Sequence, residues 1–279
     1  MTRLLTTIAP LLLLAAGCSS TKLAYDKADW YLEREVDRWL CPGDRDEAFV
    51  EREIERLHAW HRRHELPRYV KDLRRIARGL AGPMEREQVT DLVRSVTRAR
   101  DRLMKRMRPP AVKLLSRLGR RQTGCLALRV TVRYKEALDE VKLERADYAR
   151  KRRDKLVKGI ERWVGDLDDG QRRRLARRFI DPPRTARNLA TAHYNAGLRL
   201  LHLTAIKDPA RRRARLRAAL STTRGLYNAR ERGLLEARSR RMRARLWQLA
   251  RMLSTAQRST FRGKLLELAR DFEVLSRAR

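Results

Sequence analysis

Residues 261–275 read Phe-Arg-Gly-Lys-Leu-Leu-Glu-Leu-Ala-Arg-Asp-Phe-Glu-Val-Leu, and their apolar positions follow a helical spacing. The large apolar residues recur at alternating steps of four and three: Phe261, Leu265, Leu268, Phe272 and Leu275. That spacing puts the five side chains on one face of an α-helix, as in the seam of a coiled coil. An apolar face of this kind has to bury against another helix. The stretch therefore predicts a packed, all-α protein.

Amphipathic helices are also predicted at the other end of the chain. Residues 24–40 form one helix, which Cys41-Pro42-Gly43 terminates. Asp44 stands three residues before Glu47, the spacing of a capping box, so the next helix is predicted to begin there.

Prolines are predicted to punctuate the rest of the chain. Leu66-Pro67 marks a bend, and Pro109-Pro110 marks a sharp helix end, because proline has no N–H to donate and clashes with the preceding turn. A charged helix is predicted over residues 134–164. Pro182-Pro183 marks a later break.

A weak repeat recurs at predicted helix starts. Four segments carry an apolar residue followed four positions later by glutamine: Met84 and Gln88, Leu118 and Gln122, Leu167 and Gln171, Leu253 and Gln257. Asp168 with Gln171, and Ser254 with Gln257, are good capping boxes. In such a box the first side chain accepts from a backbone N–H and the glutamine reaches back to the cap's own N–H.

The composition favours helices over sheets. Charged residues make up 37% of the chain, hydrophobic residues 42%, and glycine and proline number only 13 and 9. This apolar fraction is enough to pack helices together but not to fill a large central core. We therefore expect an elongated multi-helix assembly of amphipathic helical hairpins.

The N-terminus has the pattern of an export signal. One basic residue, Arg3, precedes an apolar run from Leu4 to Ala16, which is too short to span a bilayer and has the length of a signal-peptide core. The run ends Leu14-Ala15-Ala16-Gly17-Cys18, which resembles a lipobox. Residues 1–17 are therefore predicted to be a lipoprotein signal peptide, with Cys18 as the lipidation site.

The remaining chain, residues 18–279, is predicted to be a single helical lipoprotein domain. Residues 18–43 form the anchor and first helix, and residues 44–279 form a helical body with a basic C-terminal half. Ser19 follows the cysteine, where an aspartate would imply retention in the inner membrane. The predicted location is the bacterial outer membrane, lipid-anchored and facing the periplasm.

Several motifs resemble a known family. Cys18-Ser19-Ser20, Leu23-Ala24-Tyr25 and Leu57-His58-Ala59-Trp60-His61-Arg62-Arg63 are similar to an uncharacterised family of bacterial lipoproteins, domain of unknown function 6279. Glu161-Arg162-Trp163-Val164 is similar as well. The resemblance covers nearly the whole mature chain. It implies a fold and an address, without an established activity.

The four glutamine segments also resemble the Leu-Thr-x-x-Gln signature of helical periplasmic chaperones of the Spy and CpxP type. That family forms cradle-shaped dimers whose basic concave surface holds unfolded clients. The Thr position is occupied here by Glu85, Gly119, Asp168 and Ser254. Helix capping alone also explains the pattern.

Two cysteines remain besides Cys18. An exported chain enters a compartment that oxidises thiols, so a disulfide between Cys41 and Cys125 is one outcome. The sequence leaves their pairing open. Their spacing is not that of a metal site.

Three histidines, His58, His61 and His64, are the strongest candidates for metal chemistry. Glu55 with His58 has the spacing of half a carboxylate-bridged di-metal site, but such a site needs a second pair of this kind. Two further histidines lack a glutamate three residues before them: His193 and His202. Helix packing is the favoured interpretation, with no metal, no cofactor and no catalytic residue predicted. Motifs of enzymes are missing from the sequence as well.

Arginine runs dominate the C-terminal half, where residues 170–264 hold 26 Lys and Arg and only four acids. Guanidinium groups bind phosphate and carboxylate in a bidentate fork, so these runs predict anion binding. The candidate residues are Arg172, Arg173, Arg174, Arg211, Arg212, Arg213, Arg240 and Arg241. A solvated helical face is the alternative interpretation. Nucleic acid is not an expected partner, because an exported, lipid-anchored chain rarely meets it.

Two hypotheses for function follow. The first is a non-catalytic lipoprotein that binds unfolded or partner polypeptides in a chaperone-like way. The second is an envelope module that binds anionic lipid or lipopolysaccharide headgroups. In both, the lipid anchor makes the membrane a partner, and the sequence predicts no oligomeric state.

Overall fold

The structure, a computed structural model, describes residues 18–278, and in this part of the chain it contains helices and no strands. The all-α prediction is therefore confirmed. The predicted signal peptide, residues 1–17, and the side chain of Cys18 lie outside the described part of the structure.

The helices follow one another through short connections. In chain order they are α1 (Cys18–Asp26), α2 (Ala28–Leu40), α3 (Asp44–Trp60), α4 (Leu66–Gly79), α5 (Arg86–Leu115), α6 (Arg120–Lys142), α7 (Arg145–Val164), α8 (Asp169–Phe179), α9 (Pro183–Thr204), α10 (Pro209–Ala219), α11 (Ala229–Met252) and α12 (Thr255–Arg277). A π-helical turn, His61–Glu65, joins α3 to α4.

The apolar seam of α12 buries against α4, which confirms the prediction from its spacing. Leu268, Phe272 and Leu275 are at most 6% exposed, and they share a core with Leu66 of α4, which has no exposed surface. Burial of one such side chain is worth roughly 1.5–3 kcal/mol. This helix pair is therefore a main source of stability at one end of the molecule.

A second hairpin pairs α6 with α9. A Cβ atom at Gly197 would lie 2.7 Å from Cγ1 of Val130, so only glycine permits this close approach. The rings of Tyr134 and Tyr194 stack with centroids 4.4 Å apart. Because residue 130 lies beside 197 and residue 134 beside 194, the two helices run antiparallel.

The long helix α5 connects two separate cores. Val89, in its first turn, packs with α4, α11 and α12. Val112 and Leu115, near its end, pack with α2, α3, α6, α9 and α10. A helix of 30 residues is about 45 Å long. The described chain is thus an elongated assembly of helical hairpins with several small cores, as predicted.

The prediction that Pro109-Pro110 ends a helix is wrong, because α5 continues through both prolines to Leu115. A proline inside a helix costs about 3 kcal/mol. Three residues beyond the prolines are buried in the core and offset that cost: Val112, Leu114 and Leu115.

Other boundaries also differ from the prediction. At Leu66-Pro67 the chain stays helical, since the π-helical turn leads into α4 and Pro67 occupies its first turn, where the missing N–H is tolerated. The cap of α3 is Gly43 rather than Asp44. Residues 24–40 fall in two helices that meet at Lys27.

The helix predicted over 134–164 is likewise two helices, α6 and α7. The first ends at Lys142 and the second begins at Arg145. Helical periodicity on both sides of a two-residue break is not enough to locate the break.

All four glutamine segments begin a helix, which confirms that prediction. In each, the backbone N–H of the cap donates to the glutamine carbonyl oxygen three residues on, at 2.7–3.0 Å. The apolar residue before each cap is buried: Met84, Leu118, Leu167 and Leu253. The segments therefore fix both where a helix begins and which way its first turn faces.

Two of these segments also bind each other. Nε2 of Gln171 donates to Oε1 of Gln257 at 2.8 Å, and the reverse bond measures 2.9 Å. Nε2 of Gln171 also donates to the backbone carbonyl of Met252, and Nε2 of Gln257 donates to that of Asp166. Each of these contacts has its counterpart 86 residues along the chain. The α7–α8 and α11–α12 hairpins therefore meet with approximate two-fold symmetry.

Candidate anion-binding site

The eight arginines predicted to bind anions do not form one site. They lie on three helices: Arg172–Arg174 on α8, Arg211–Arg213 on α10, and Arg240 with Arg241 on α11. Arg172 donates to Glu161 at 2.8 Å, and Arg241 lies 3.9 Å from Asp181. Arg212 turns inward to the carbonyl of Thr204 at 3.4 Å. Of the eight, only Arg213 lines the cleft described next.

A cationic cleft of about 440 Å³ lies between α5 and α10. The α5 wall consists of Arg108, Pro109, Val112 and Lys113, and the α10 wall consists of Arg213 and Arg217. Its volume is in the range of roughly 300–1,000 Å³ that is usual for small-molecule sites. Two apolar residues and four cations therefore line this cleft.

Helical spacing and one buried leucine position these side chains. Arg213 and Arg217 are four apart, so they project from the same side of α10. Between them Leu216, with no exposed surface, anchors α10 in the core that also holds Val112. Arg108 donates to the carbonyl of Ser221 just beyond α10 and so connects the two walls.

The cations of the cleft are Arg108, Lys113, Arg213 and Arg217. None of them has an acidic partner among the residues that the structure describes. Nε of Arg108 is buried and has no hydrogen-bond partner in that part of the chain. The ammonium of Lys113 lies 4.9 Å from the centre of the Phe49 ring. Elsewhere many arginines are paired with carboxylates, whereas these four charges have no neutralising partner in that part of the chain.

The side chains that line the cleft are cationic or apolar. Its lining contains no carboxylate, histidine, serine or cysteine. Guanidinium and ammonium groups bind phosphate or carboxylate, while Pro109 and Val112 offer contact to carbon atoms.

Sequence reasoning did not single out most of this site. Arg108 precedes a proline pair whose local chemistry predicts a helix end, and Lys113 lies beyond it. Arg217 belongs to an arginine run, but nothing local distinguishes it from Arg215. The available signal was the i, i+4 spacing of Arg213 and Arg217 around a leucine.

Two histidines of the triplet, the half-buried His58 and the buried His61, pack with aromatic residues from α1 and α4. The hydroxyl of Tyr25 lies 3.0 Å from Nδ1 of His61, and its ring centre is 4.6 Å from that of His58. Nε2 of both histidines is buried without a partner in the described structure. His64 instead lies on the surface, with Nδ1 3.1 Å from the carbonyl of Trp60.

Burial controls ionisation in this cluster. Desolvation lowers the pKa of His61 to about 4, against a smaller opposing effect of Glu65. Desolvation also lowers the pKa of His58. Both imidazoles are therefore neutral at neutral pH, as packing residues are.

Glu65 is the charged residue of this cluster and has no exposed surface. Burial alone would raise the pKa of Glu65, but hydrogen bonds from Arg102 and Arg68 outweigh it and hold that pKa below its ordinary value. Arg102 binds the carboxylate with both Nε and Nη2, at 2.7–3.0 Å. The pair joins the π-helical turn to the middle of α5.

Metal binding gains no support from these residues. Among the described residues no group of three or more His, Cys, Asp or Glu side chains is arranged to hold a metal ion. His193 lies 2.9 Å from the hydroxyl of Tyr227, whereas His202 is exposed.

Cys41 and Cys125 form a disulfide, with Cα atoms 6.1 Å apart. It ties the end of α2 to the first turns of α6. Cys41 adopts a left-handed backbone conformation with φ of 44°, which ends α2. The separation of 84 residues makes this a long-range constraint.

Among residues 18–278 no helix combines the length and apolar character that crossing a bilayer requires. Comparison with curated proteins and with solved structures found no match to this chain. One family model matches a part of the chain that runs from α3 to α8. This part contains the α5 wall of the cleft but not the α10 wall. Over residues 43–180, the chain matches the model of a family of unknown function, DUF6279.

Proposed function

We propose that this protein is a non-catalytic lipoprotein, anchored through Cys18 in the outer membrane, that binds phosphate-bearing lipid headgroups in the cleft between α5 and α10. The observation that carries the proposal is the set of four cations without acidic partners that line the cleft together with Pro109 and Val112. The signal-peptide pattern of residues 1–17 supports the envelope location.

The composition of the cleft favours an amphipathic anion over a simple one. Arginine binds phosphate in a bidentate fork, and Arg213 and Arg217 are on one side of their helix to do so. Pro109 and Val112 can contact the carbon atoms that adjoin a lipid phosphate. The shared chemistry is a phosphate ester on an acylated headgroup, from a phospholipid or from lipopolysaccharide.

A titration with matched variants tests the cleft. The mature chain in non-ionic detergent is titrated calorimetrically with short-chain phosphatidylglycerol, with phosphatidylcholine and with inorganic phosphate. Arg213→Ala with Arg217→Ala should weaken phosphatidylglycerol binding about tenfold or more. Arg173→Ala with Arg174→Ala removes the same charge from an exposed part of α8 and should change it by less than about twofold.

Equal losses in the two double variants would mean unspecific charge attraction and would contradict the proposal. Phosphate binding as tightly as the lipid would assign the cleft to a free anion instead. Parallel titrations with the diphosphorylated glycolipid of lipopolysaccharide distinguish the two lipid sources.

The anchor has a separate test. Cys18→Ser should abolish incorporation of labelled palmitate and release the chain from membranes. Label that still enters the variant would disprove the assignment of Cys18.

Chaperone-like binding of polypeptides stays a prediction with weaker support. The glutamine segments that suggested it are occupied in helix capping and packing. The measurement is light scattering of an aggregating client with and without the mature chain. Suppression that persists at physiological salt would favour this second function.

A further inference from the structure

An exposed stripe of mixed character runs along the first two helices. The two helices join at Lys27, whose φ and ψ of −98° and 6° depart from helical values. Backbone hydrogen bonding continues across the joint, since the N–H of Lys27 donates to Leu23 and its carbonyl accepts from Tyr31, at 3.2 and 3.1 Å. Leu23, Lys27, Trp30 and Arg34 follow one another at steps of four, three and four. They therefore share one face of this helical segment, within an arc of about 60°.

This face is open to solvent although it carries two large apolar side chains. Leu23 is 63% exposed and Trp30 is 55% exposed. Lys27 and Arg34 are exposed as well, and the guanidinium of Arg34 lies 5.0 Å from the centre of the Trp30 ring. The stripe thus combines an aromatic and an aliphatic residue with two flexible cations.

The opposite face of the same segment is held firmly by the body. Tyr25 is 3% exposed and contacts His58 and His61, and Thr21 is also buried. Further along, Leu32 packs against the core of α3 and α6. The orientation of the stripe is therefore fixed relative to the rest of the molecule.

We infer that this stripe lies in the headgroup region of the bilayer leaflet that carries the lipid on Cys18. The inference rests on the proposed anchorage, and its position supports it: Leu23 is five residues after Cys18, about 7.5 Å along a helix. Tryptophan is enriched at membrane interfaces, and lysine and arginine extend their charges toward headgroups from such a face.

The charges bordering the stripe do not by themselves attract an anionic leaflet, because Glu33 lies among other acids, and burial followed by the charges of Asp29 and Asp37 raises its pKa. Asp26 borders it but is paired with Arg62 at 3.4 Å. Asp37 borders it one turn beyond Arg34 and offsets part of the positive charge. Docking therefore depends mainly on Trp30 and Leu23, and the lipid anchor, by holding the chain at the surface, makes a modest affinity sufficient.

The test uses the acylated mature chain in vesicles of phosphatidylethanolamine and phosphatidylglycerol. Fluorescence of Trp30 is taken as the difference between the wild type and Trp30→Phe. We expect lipids brominated near the headgroup to quench this signal and acrylamide quenching to fall about threefold relative to the protein in detergent. The variant Leu23→Ser with Lys27→Glu should restore acrylamide access.

A matched control places the reporter elsewhere. Leu128 is 65% exposed on α6, so Leu128→Trp in the Trp30→Phe background should remain open to acrylamide in vesicles. Equal quenching by acrylamide at Trp30 in vesicles and in detergent would overturn the inference, as would equal bromolipid quenching at both positions. Failure of the anchor is distinguishable, because an unacylated chain would not float with the vesicles.

Discussion

Glu65 shows how much one buried carboxylate can contribute at the residue scale. Its side chain is fully buried and is held by Arg102 and Arg68. Glu65→Gln keeps the shape but leaves Arg102 without its charged partner, so we expect a loss of about 2 kcal/mol in the free energy of unfolding. Urea denaturation at pH 7 measures this loss.

The control for Glu65 is another glutamate three residues from an arginine. Glu53→Gln breaks the surface pair with Arg56 and should cost less than about 0.5 kcal/mol. The pKa of Glu65 lies below its ordinary value in the folded chain. The stabilisation is therefore present above the unfolded pKa and is lost as pH falls through the lower folded value. An equal loss of unfolding free energy with falling pH in the wild type and in Glu65→Gln would contradict this account.

His61 makes a second acid-sensitive contribution, in which the fold favours the neutral form of the side chain. Desolvation lowers its pKa to about 4, so the unfolded state binds the proton more tightly. Stability is full above the ordinary histidine pKa and declines as pH falls from there toward 4, by about 2 kcal/mol between pH 7 and pH 5. His61→Gln should flatten this decline in urea denaturation series.

The exposed His202 provides the comparison for that experiment. His202→Gln should leave the pH slope unchanged. If both histidine variants had the wild-type slope, the buried cluster would not be the source of the acid sensitivity. A residual slope in His61→Gln is expected from His58, whose pKa is also lowered.

At the element scale, the joint between the α7–α8 and α11–α12 hairpins depends on two amides. Gln171 and Gln257 are 3% and 9% exposed, and each uses both amide hydrogens and both carbonyl lone pairs. Gln171→Leu leaves buried partners unsatisfied and should cost about 2 kcal/mol of unfolding free energy. Thermal and urea denaturation of the single and double leucine variants measure the coupling.

The double variant should lose less than the sum of the two singles, by about 1 kcal/mol or more. The comparison variant is Gln88→Ala, which removes a capping glutamine of α5 outside this pair. It should lower the free energy of unfolding by about 1 kcal/mol. Strict additivity of the two leucine substitutions would show that the glutamines do not act as a pair.

At the scale of the whole molecule, the disulfide links parts of the chain that are 84 residues apart. Closing a loop of that length restricts the unfolded chain, and removal of such a bond typically costs about 2–4 kcal/mol. Cys41→Ala with Cys125→Ala should show that loss in urea denaturation. Reductant should destabilise the wild type by a similar amount and leave the double variant unaffected.

Positive charge is also organised at this scale. The arginine runs that stand out in the sequence are distributed over α8, α10 and α11, and several are bound to Glu161, Asp181 or backbone carbonyls. The four cations of the cleft come together where α10 packs on α5. A count of charges along the chain therefore indicates that anions are attracted, but not where.

The sequence by itself determined the features that depend on neighbouring residues. Capping boxes join residues three apart, so Gln88, Gln122, Gln171 and Gln257 mark helix starts without reference to the rest of the molecule. The spacing of the α12 seam likewise requires a helical partner, whichever helix that is.

Only the tertiary structure decided the features that join distant residues. Among these are the pairing of Gln171 with Gln257, the bond between Cys41 and Cys125, and the meeting of Lys113 with Arg213. The continuation of α5 through Pro109-Pro110 belongs with them, because burial beyond the prolines offsets a local penalty. The physical reason is the same in each case: local hydrogen bonding selects the helix, while burial against residues far along the chain selects its partners, its length and the site between them.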